Sequence, residues 1–377
     1  MSRPYRVVIW GPGHIGGTVL RELLRRPHEF EVVGVRVYSD AKNGCDIGEL
    51  AGLEKVGVTA TNDPEAILAL DADCVVYTAQ PFDLAQVTED AIALLRSGKN
   101  VVSTTSFHCP QLQGPDYVDR LQAACVEGKA TLHGTGPHPP FMVERLALTL
   151  TGLFTDVRHI KLIEAVEASE ALAGMAPEFL SAVGWGLPLE QVKPDNLSAL
   201  LVSPYYKGAI AYAANALYGA PAEEVRFEHD HFGIPADRDY TFPNATIPKG
   251  STLTVAHVYR GYIGDHHFFT NEEYFYVGAE HKKAVFGSDG PPFGPFSGDA
   301  NYVLEVEGEP NAVTVQLDIE RRTDDGLPVI THVSVAMLLQ AIAHVVDAQP
   351  GILHPHVEPH FRALSPVPAT GALQGSA

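Results

Sequence analysis

The apolar positions in the first 140 residues form short, nearly continuous runs, separated by segments whose apolar residues recur at helical spacing. Such runs predict strands that are buried on both faces, and the segments between them predict helices that cover those faces. Strands that alternate with helices indicate a doubly wound parallel sheet. The predicted strands are Arg6–Trp10, Glu31–Val37, Gly57–Ala60, Asp73–Thr78, Asn100–Ser103 and Ala130–His133, and the predicted helices between them include Pro64–Leu70, Leu84–Ser97 and Pro115–Glu127.

The pattern changes after Gly136. Several longer runs now alternate apolar and polar residues, which is typical of an antiparallel sheet with one face in water. We therefore predict an α+β substrate domain with a mainly antiparallel sheet. Its predicted strands are Val157–Ala165, Leu253–Tyr262, Asn271–Tyr276, Tyr302–Glu307 and Thr314–Ile319, and the predicted helices of this part are Phe141–Leu153, Ser198–Tyr218 and Ile330–Val346.

The last of these helices is rich in alanine and valine, and we expect it to return to the first domain. The predicted organisation is thus a nucleotide-binding domain (residues 1–140), a substrate and dimerisation domain (141–328), a returning C-terminal helix (329–362) and a tail (363–377). Because an antiparallel sheet often forms a two-fold interface, we expect a homodimer.

The composition argues against two classes of binding partner, nucleic acids and membranes. The 377 residues carry a formal net charge of −20, which repels nucleic acid and anionic membrane surfaces. We find no uninterrupted run of apolar residues long enough to span a membrane, and no signal peptide. The four cysteines have no paired spacing and fit reduced thiols. We expect a cytoplasmic protein that binds neither nucleic acid nor membranes.

A glycine motif lies directly after the first predicted strand. Gly11, Gly13 and Gly16 follow Arg6–Trp10 and precede a helical segment, and this context favours binding of a dinucleotide. The first glycine allows a tight turn, the second lets the backbone approach a pyrophosphate, and the third lets the helix pack closely on the strand. The first domain is therefore predicted to be a Rossmann domain, and its first cofactor-binding residues are Gly11, Pro12, Gly13, His14, Ile15 and Gly16.

The end of the second strand bears on the choice of dinucleotide. Sites for NAD usually place an acidic residue there, on the ribose hydroxyls. No acid occupies the last positions of this strand, whereas Ser39 and Lys42 follow it and suit a 2′-phosphate. The sequence therefore favours NADP, with NAD possible because Asp40 is one position late. Ser39 and Lys42 can alternatively be ordinary solvated loop residues.

Ligands in open α/β sheets bind at the carboxyl ends of the strands. Three such ends carry small or polar residues, and we assign Thr78, Ala79, Ser103 and Thr104 to the cofactor. Histidine suits proton transfer to a carbonyl oxygen because its pKa lies near the working pH. The candidate catalytic residues at these ends are Ser106, His108 and His138, although either histidine can also be a loop residue that bonds to the backbone.

The ordered set of motifs resembles the dihydrodipicolinate-reductase-like oxidoreductases, in particular the branch of 2,4-diaminopentanoate dehydrogenase and the native amine dehydrogenases. The resemblance covers nearly the whole chain. It implies transfer of a hydride between NAD(P) and the carbon of an imine or amine. The residues that carry it are Gly11–Gly16, Asn100–Thr104, Gly134–Phe141 with Glu144–Leu146, Gly184–Gly186 and Ala348–Ile352.

The chain departs from this family at one functional position. The resemblance implies a glutamate just after the strand equivalent to Asn100–Thr104. This glutamate would hold the ammonia-derived nitrogen, but the sequence there is Thr105-Ser-Phe-His108. An acid from the second domain is the alternative, and Glu164, Glu167 and Glu170 lie at spacing three in a strand-like segment. We include Glu167 among the catalytic candidates. These carboxylates can also be solvated residues of a strand edge.

Three functions follow from these patterns. The first is an amine-dehydrogenase-like reductive amination of a ketone or aldehyde, or its reverse, with a carbonyl or amine as small-molecule substrate. The second is a plain carbonyl reductase or alcohol dehydrogenase. The third is a protein that binds NADP and catalyses nothing. His229 and His231 would share one face of a strand, but no further ligand has metal-site spacing, and we predict no metal.

Overall fold

The computed structural model describes residues 3–79, 83–104, 107–174, 177–278, 299–323 and 325–354. The chain divides into two compact units. Unit 1 comprises Met1–Phe141 and Thr331–His356, and unit 2 comprises Met142–Ile330 and Val357–Ala377. Each unit contains a sheet of six strands. The residues that test the predicted tail (363–377) and Ser106 lie outside the described ranges.

The strands, in chain order, are β1 (Tyr5–Trp10), β2 (Phe30–Arg36), β3 (Cys74–Tyr77), β4 (Asn100–Ser103), β5 (Thr131–Gly134), β6 (Asp156–Glu167), β7 (Val225–Pro235), β8 (Tyr240–Thr241), β9 (Thr246–Ile247), β10 (Thr252–Ile263), β11 (His266–Tyr276), β12 (Ala300–Glu309), β13 (Ala312–Ile319) and β14 (Gly351–Ile352). The α-helices are α1 (His14–Leu24), α2 (Ile47–Leu50), α3 (Pro64–Leu68), α4 (Leu84–Arg96), α5 (Pro115–Gly128), α6 (Leu148–Leu150), α7 (Ser169–Gly174), α8 (Pro177–Val183), α9 (Leu197–Tyr218) and α10 (Val329–Asp347).

The sheet of unit 1 is parallel throughout, in the order β14-β5-β4-β3-β1-β2. Strand β1, which lies between β3 and β2, is buried on both faces, as its continuous apolar run predicts. Val7 and Ile9 pack in one core with side chains of α1 and α10, whereas Val8 and Trp10 pack in a second core with side chains of α4 and α5. The predicted doubly wound Rossmann fold is confirmed.

One strand prediction in unit 1 is wrong. Gly57–Ala60 forms no strand of the sheet and contributes only an isolated bridge between Asp46 and Thr59. The reason is local, because the backbone of this segment folds back and bonds to residues 44–47. The sixth strand of the sheet is instead β14, which follows α10 and pairs with β5.

The helix α10 has a length and hydropathy that would allow it to cross a membrane. The same pattern is found in core helices, and five of its apolar residues are buried in the first core of unit 1. These residues are Val335, Leu338, Ala341, Ile342 and Val345, each less than 5% exposed. Much of the apolar surface of α10 is therefore used in the packing of unit 1 itself.

The sheet of unit 2 has the order β13-β12-β6-β11-β10-β7. All of its strand pairs are antiparallel except β6 with β11, so the predicted, mainly antiparallel sheet is confirmed. One face, which we call the inner face, packs with α9 in the largest core of the unit. Ile160 and Leu162 of β6 mark this face, and Tyr206 and Ile210 of α9 pack with them.

The prediction of a single α-helix over Phe141–Leu153 is wrong. The structure has a π-helical segment, Pro137–Ala147, followed by α6 and a 3-10 turn, Thr151–Leu153. Prolines lack the N–H that an α-helix needs at its interior positions, and Pro137, Pro139 and Pro140 fall at its start. Consistent with this, a backbone bond of the segment runs five residues back, from Phe141 N to Gly136 O at 3.1 Å.

Candidate active site

The turn between β1 and α1 has the geometry that the glycine motif predicts. Gly11 adopts a φ of +88°, which disfavours any side chain, and its N–H donates to Arg36 O at 3.0 Å. A Cβ on Gly16 would lie 2.5 Å from Gly11 O, so this position tolerates only glycine. A Cβ on Gly13 would meet nothing within 4 Å, so the turn is open on this side. No side chain caps the helix that follows, so its first N–H groups can bind phosphate.

Two predicted residues after β3 build this turn. The Thr78 hydroxyl donates to Gly11 O at 2.8 Å, and the Thr78 N–H donates to Trp10 O at 2.9 Å. A Cβ on Gly11 would lie 3.0 Å from the backbone of Ala79. Thr78 and Ala79 therefore lie against the glycine turn, where a dinucleotide would bind.

The remaining residues of the motif have separate surroundings. His14 is exposed, and its Nε2 lies 2.9 Å from Thr331 Oγ1, which joins the first turn of α1 to α10. Ile15 is half-buried and packs against the first core of unit 1. Pro12 offers its carbonyl to Lys42, as described next.

The loop after β2 brings a positive charge to the glycine turn. The Lys42 ammonium donates to Pro12 O at 3.3 Å and is exposed. Ser39 accepts from Ala41 N at 3.2 Å and is also exposed. The Asp40 carboxylate accepts from the amide of Asn62 at 3.0 Å, which provides a local partner for the one nearby acid. Ser39 and Lys42 thus lie in the exposed loop after β2, with Lys42 in contact with the glycine turn, and their assignment to the 2′-phosphate stays a prediction.

Arg36 is the last residue of β2. The Arg36 guanidinium is 4.7 Å from the ring centroid of Tyr38 and 5.7 Å from that of Trp10. Such stacking holds a guanidinium in place. Arg36 is therefore a second cation, besides Lys42, near the end of β2.

The ends of β4 and β5 carry the candidate histidines. The Ser103 hydroxyl donates to Tyr77 O at 2.9 Å, and Thr104 follows it, half-buried. A Cβ on Gly134 would overlap the backbone of Phe107 and His108, so this glycine fixes His108 against the end of β5. His108 is 7% exposed. His138 is half-buried and extended (φ −137°) within the π-helical segment.

In unit 2 the predicted Glu167 has a structural task. Its carboxylate accepts from Ser169 N at 3.0 Å, from the Ser169 hydroxyl and from Gly278 N at 3.0 Å. These bonds cap the start of α7. Glu170 lies in α7 rather than in the strand, and it pairs with Arg321. No comparison tests a catalytic role for Glu167, which stays a prediction.

Glu164, three positions earlier, faces the opposite side of the sheet, because neighbouring residues of a strand alternate between faces. It is 5% exposed, and one of its oxygens lies within 4.8 Å of an oxygen of Glu273, which is fully buried. Tyr302 donates to Glu164 at 2.6 Å, and Tyr206 hydrogen-bonds to Glu273. Burial, together with these carboxylates, raises the pKa of both phenols well above the usual range, so both remain protonated donors.

Glu273 was not predicted from the sequence. It follows Glu272 in a strand whose pattern is dominated by aromatic residues, and a pair of adjacent acids usually indicates solvent exposure. The available signal was the register, since Glu273 shares its face with Phe269 and Phe275, two residues expected in the core.

The chain is similar to known proteins in sequence and in fold, and these proteins share a class of activity. Residues 5–116 match the family described as dihydrodipicolinate reductase, N-terminus. An amine dehydrogenase from Streptomyces virginiae is 28% identical over 358 residues, which are 92% of this chain and 93% of that protein.

Two solved structures share the fold. An amine dehydrogenase from Mycobacterium smegmatis superposes with a TM-score of 0.68 at 18% identity, over 93% of this chain and 94% of that one. GenD2 from gentamicin A biosynthesis, in complex with NAD, superposes with a TM-score of 0.52 at 14% identity, over 93% and 91%. The chain is an NAD(P)-dependent oxidoreductase that is similar to amine dehydrogenases, and its N-terminal part matches that of dihydrodipicolinate reductase.

Proposed function

We propose that this enzyme uses NADP to interconvert a ketone or aldehyde plus ammonia with the corresponding primary amine. The observation that carries the proposal is the likeness to an amine dehydrogenase along 92% of the chain. The open glycine turn and the uncapped start of α1 fit the pyrophosphate of a dinucleotide. The bound cofactor would supply or accept the hydride.

The chain itself has four tasks in such a reaction. It must bind the two reactants, hold the reacting carbons at near-attack distance and exclude water. It must also manage protons, because the iminium forms from ketone and ammonia with uptake of one proton and release of one water. Residues Gly11–Gly16, Thr78, Ala79, Ser103 and Thr104 are proposed for the first of these tasks, on the cofactor.

The test of the proposal is the consumption of NADPH with a panel of ketones and aldehydes, each with and without ammonium at mildly alkaline pH. We expect consumption that depends on ammonium. Consumption that is equally fast without ammonium would contradict the proposal and establish the second function, a carbonyl reductase. Tight binding of NADPH without turnover of any pair would favour the third function.

The carbonyl reductase remains a candidate because His108 and His138 follow the ends of β4 and β5, and because Thr105–His108 contains no carboxylate. A ketone needs a proton donor for its developing oxyanion, and histidine is the side chain suited to this near neutral pH. In that case His108→Ala or His138→Ala would abolish the reduction that proceeds without ammonium, while the affinity for NADPH would be retained.

For the cofactor we propose NADP over NAD, with Ser39 and Lys42 on the 2′-phosphate. The support is the position of the Lys42 ammonium 3.3 Å from Pro12 O in the glycine turn, with Arg36 at the end of β2 as a further cation. The alternative of loop solvation predicts no preference between the two cofactors.

Replacement of Lys42 tests this choice. A charge-assisted hydrogen bond contributes about 1.5–3 kcal/mol, and 1.4 kcal/mol corresponds to a factor of ten. Lys42→Ala should therefore raise the KM for NADPH at least about tenfold while the KM for NADH stays nearly constant. The control is Lys55→Ala, an exposed lysine of the same unit that pairs with Glu49. Equal losses for both cofactors would refute the assignment.

The homodimer, the cytoplasmic location and the exclusion of nucleic acid and membranes remain proposals. They rest on the mainly antiparallel sheet of unit 2 and on the net charge of −20.

A further inference from the structure

A row of polar side chains crosses the inner face of the unit 2 sheet. Register pairs His231 of β7 with His257 of β10, His257 with Glu273 of β11, Glu273 with Glu164 of β6, and Glu164 with Tyr302 of β12. All five residues are at most 5% exposed. Burying polar groups in a core costs free energy, so a continuous row across five strands calls for a functional explanation.

Two carboxyl groups lie at the centre of this row. One oxygen of Glu164 and one of Glu273 lie within 4.8 Å of each other. Like charges at this distance in a medium of low dielectric repel strongly, and a cation placed between them removes the repulsion. The phenols of Tyr302 and Tyr206 hold the two carboxylates in place but bring no positive charge.

The histidine end of the row is neutral. Burial, assisted by His231 and His229, lowers the pKa of His257 to about 2, and burial lowers the pKa of His231 to about 4. The Nδ1–H of His231 donates to Ala256 O at 3.2 Å, so its Nε2 is an unprotonated acceptor. The row therefore adds no charge of its own that offsets the carboxylates.

An independent observation indicates that a donor is missing beside Glu273. Asn271 is 2% exposed, and its amide nitrogen donates to Glu273 Oε1 at 2.6 Å. The carbonyl oxygen Oδ1 belongs to the same planar amide group as this nitrogen. Oδ1 has no hydrogen-bond partner among the described residues. A buried acceptor without a donor costs free energy, which a bound N–H group would recover.

We infer that Glu164 and Glu273, with Asn271, bind the nitrogen of the amine and act in place of the glutamate that is missing after β4. An ammonium or iminium group offers a positive charge for the two carboxylates and several N–H donors, one of them for Asn271 Oδ1. The inference rests on the proposed function, and it names the residues that handle the nitrogen.

The proton balance fits two adjacent carboxylates. In the first step, the ketone, ammonia and one proton give the iminium and water. In the second step, the hydride adds to the iminium carbon, the π electron pair of the C=N bond moves to nitrogen, and a neutral amine results. A pair of carboxylates can deliver one proton for the loss of water while it keeps a negative charge beside the iminium.

The test compares Glu164→Gln and Glu273→Gln in the full chain with the wild type. General acid–base groups contribute about 10²–10⁴-fold, so kcat/KM for ammonium should fall by at least about 100-fold in each variant. The matched control is Glu305→Gln, on β12 but opposite Lys161 on the other face of the sheet. It should retain the wild-type values. Glu164→Asp and Glu273→Asp keep the charge and should recover part of the lost activity.

A second measurement separates this role from a structural one. NADPH affinity and the midpoint of thermal unfolding should stay near the wild-type values in the Gln variants, while the KM for ammonium rises. An unchanged KM for ammonium and an unchanged kcat in both Gln variants would overturn the inference even if the wild type is an amine dehydrogenase. Loss of activity on treatment with EDTA, restored by a divalent metal, would also overturn it. A wild type that never uses ammonium would instead refute the proposed function.

Discussion

Gly16→Ala should weaken the binding of NADPH by about 10–100-fold, because overpacking a tight site costs about 1–3 kcal/mol and 1.4 kcal/mol is a factor of ten. The added Cβ would lie 2.5 Å from Gly11 O and even closer to the Thr78 hydroxyl. Since that oxygen is part of a turn held by Arg36 O and Thr78, α1 must move away from the strand. The measurement is the dissociation constant of NADPH from the change in its fluorescence on binding.

The next residue provides a control with the same chemical change. A Cβ on Gly17 would meet only Pro12 O, at 4.0 Å, which is ordinary van der Waals contact. Gly17→Ala should therefore bind NADPH as the wild type does and gain helix stability of up to about 1 kcal/mol. Equal affinity in the two variants would show that the turn does not hold the dinucleotide.

The free energy of unfolding of the wild type should fall as the pH rises, and Glu144→Gln should abolish this fall. Glu144 is fully buried in the π-helical segment, and neither carboxylate oxygen has a hydrogen-bond partner among the described residues. Burial raises the pKa of this carboxyl well above its usual range, opposed only by Arg145. The folded chain thus keeps a proton that the unfolded chain releases.

The sign follows from this difference in bound protons. Above the ordinary carboxyl pKa of about 4.3, the unfolded state binds fewer protons than the folded state, so the free energy of unfolding falls as pH rises, by up to about 1.4 kcal/mol per pH unit. The loss ends when the pH reaches the raised pKa of the folded state. Glutamine has the same shape and no proton to lose, so the variant should lack this slope.

Urea unfolding of the wild type and Glu144→Gln at several pH values between mildly acidic and mildly alkaline checks the prediction. The control is Glu190→Gln, an exposed glutamate of the same unit, which should keep the wild-type dependence on pH. Parallel pH profiles for wild type and Glu144→Gln would show that Glu144 is not the group responsible.

The sequence predicted the nucleotide-binding unit well because its signals are local. Continuous apolar runs specify strands buried on both faces, and the strand Asn100–Ser103 has the predicted bounds. Gly11–Gly16 specified a turn whose constraints are steric and lie within a few residues. The failures are Gly57–Ala60, whose backbone bonds to residues 44–47 instead of to the sheet, and β14, which has only two residues.

The site in unit 2 was harder to predict because it depends on pairing between distant strands. Glu164 was recognised as a candidate, but Glu273 and Tyr302 are more than 100 residues away and meet it only through the register of β6 with β11 and β12. The edge strand β7 was not predicted, since its inward positions carry His229 and His231 instead of the apolar residues that mark a strand. Polar residues that face inward escape an analysis based on hydrophobic pattern.

The central claim is that the enzyme joins ammonia to a carbonyl carbon at the expense of NADPH. The most direct measurement is mass spectrometry of the product formed from a reactive ketone, NADPH and isotopically labelled ammonium chloride. We predict a primary amine that carries the label, in an amount equal to the NADPH consumed. Formation of the alcohol in place of a labelled amine would contradict the claim.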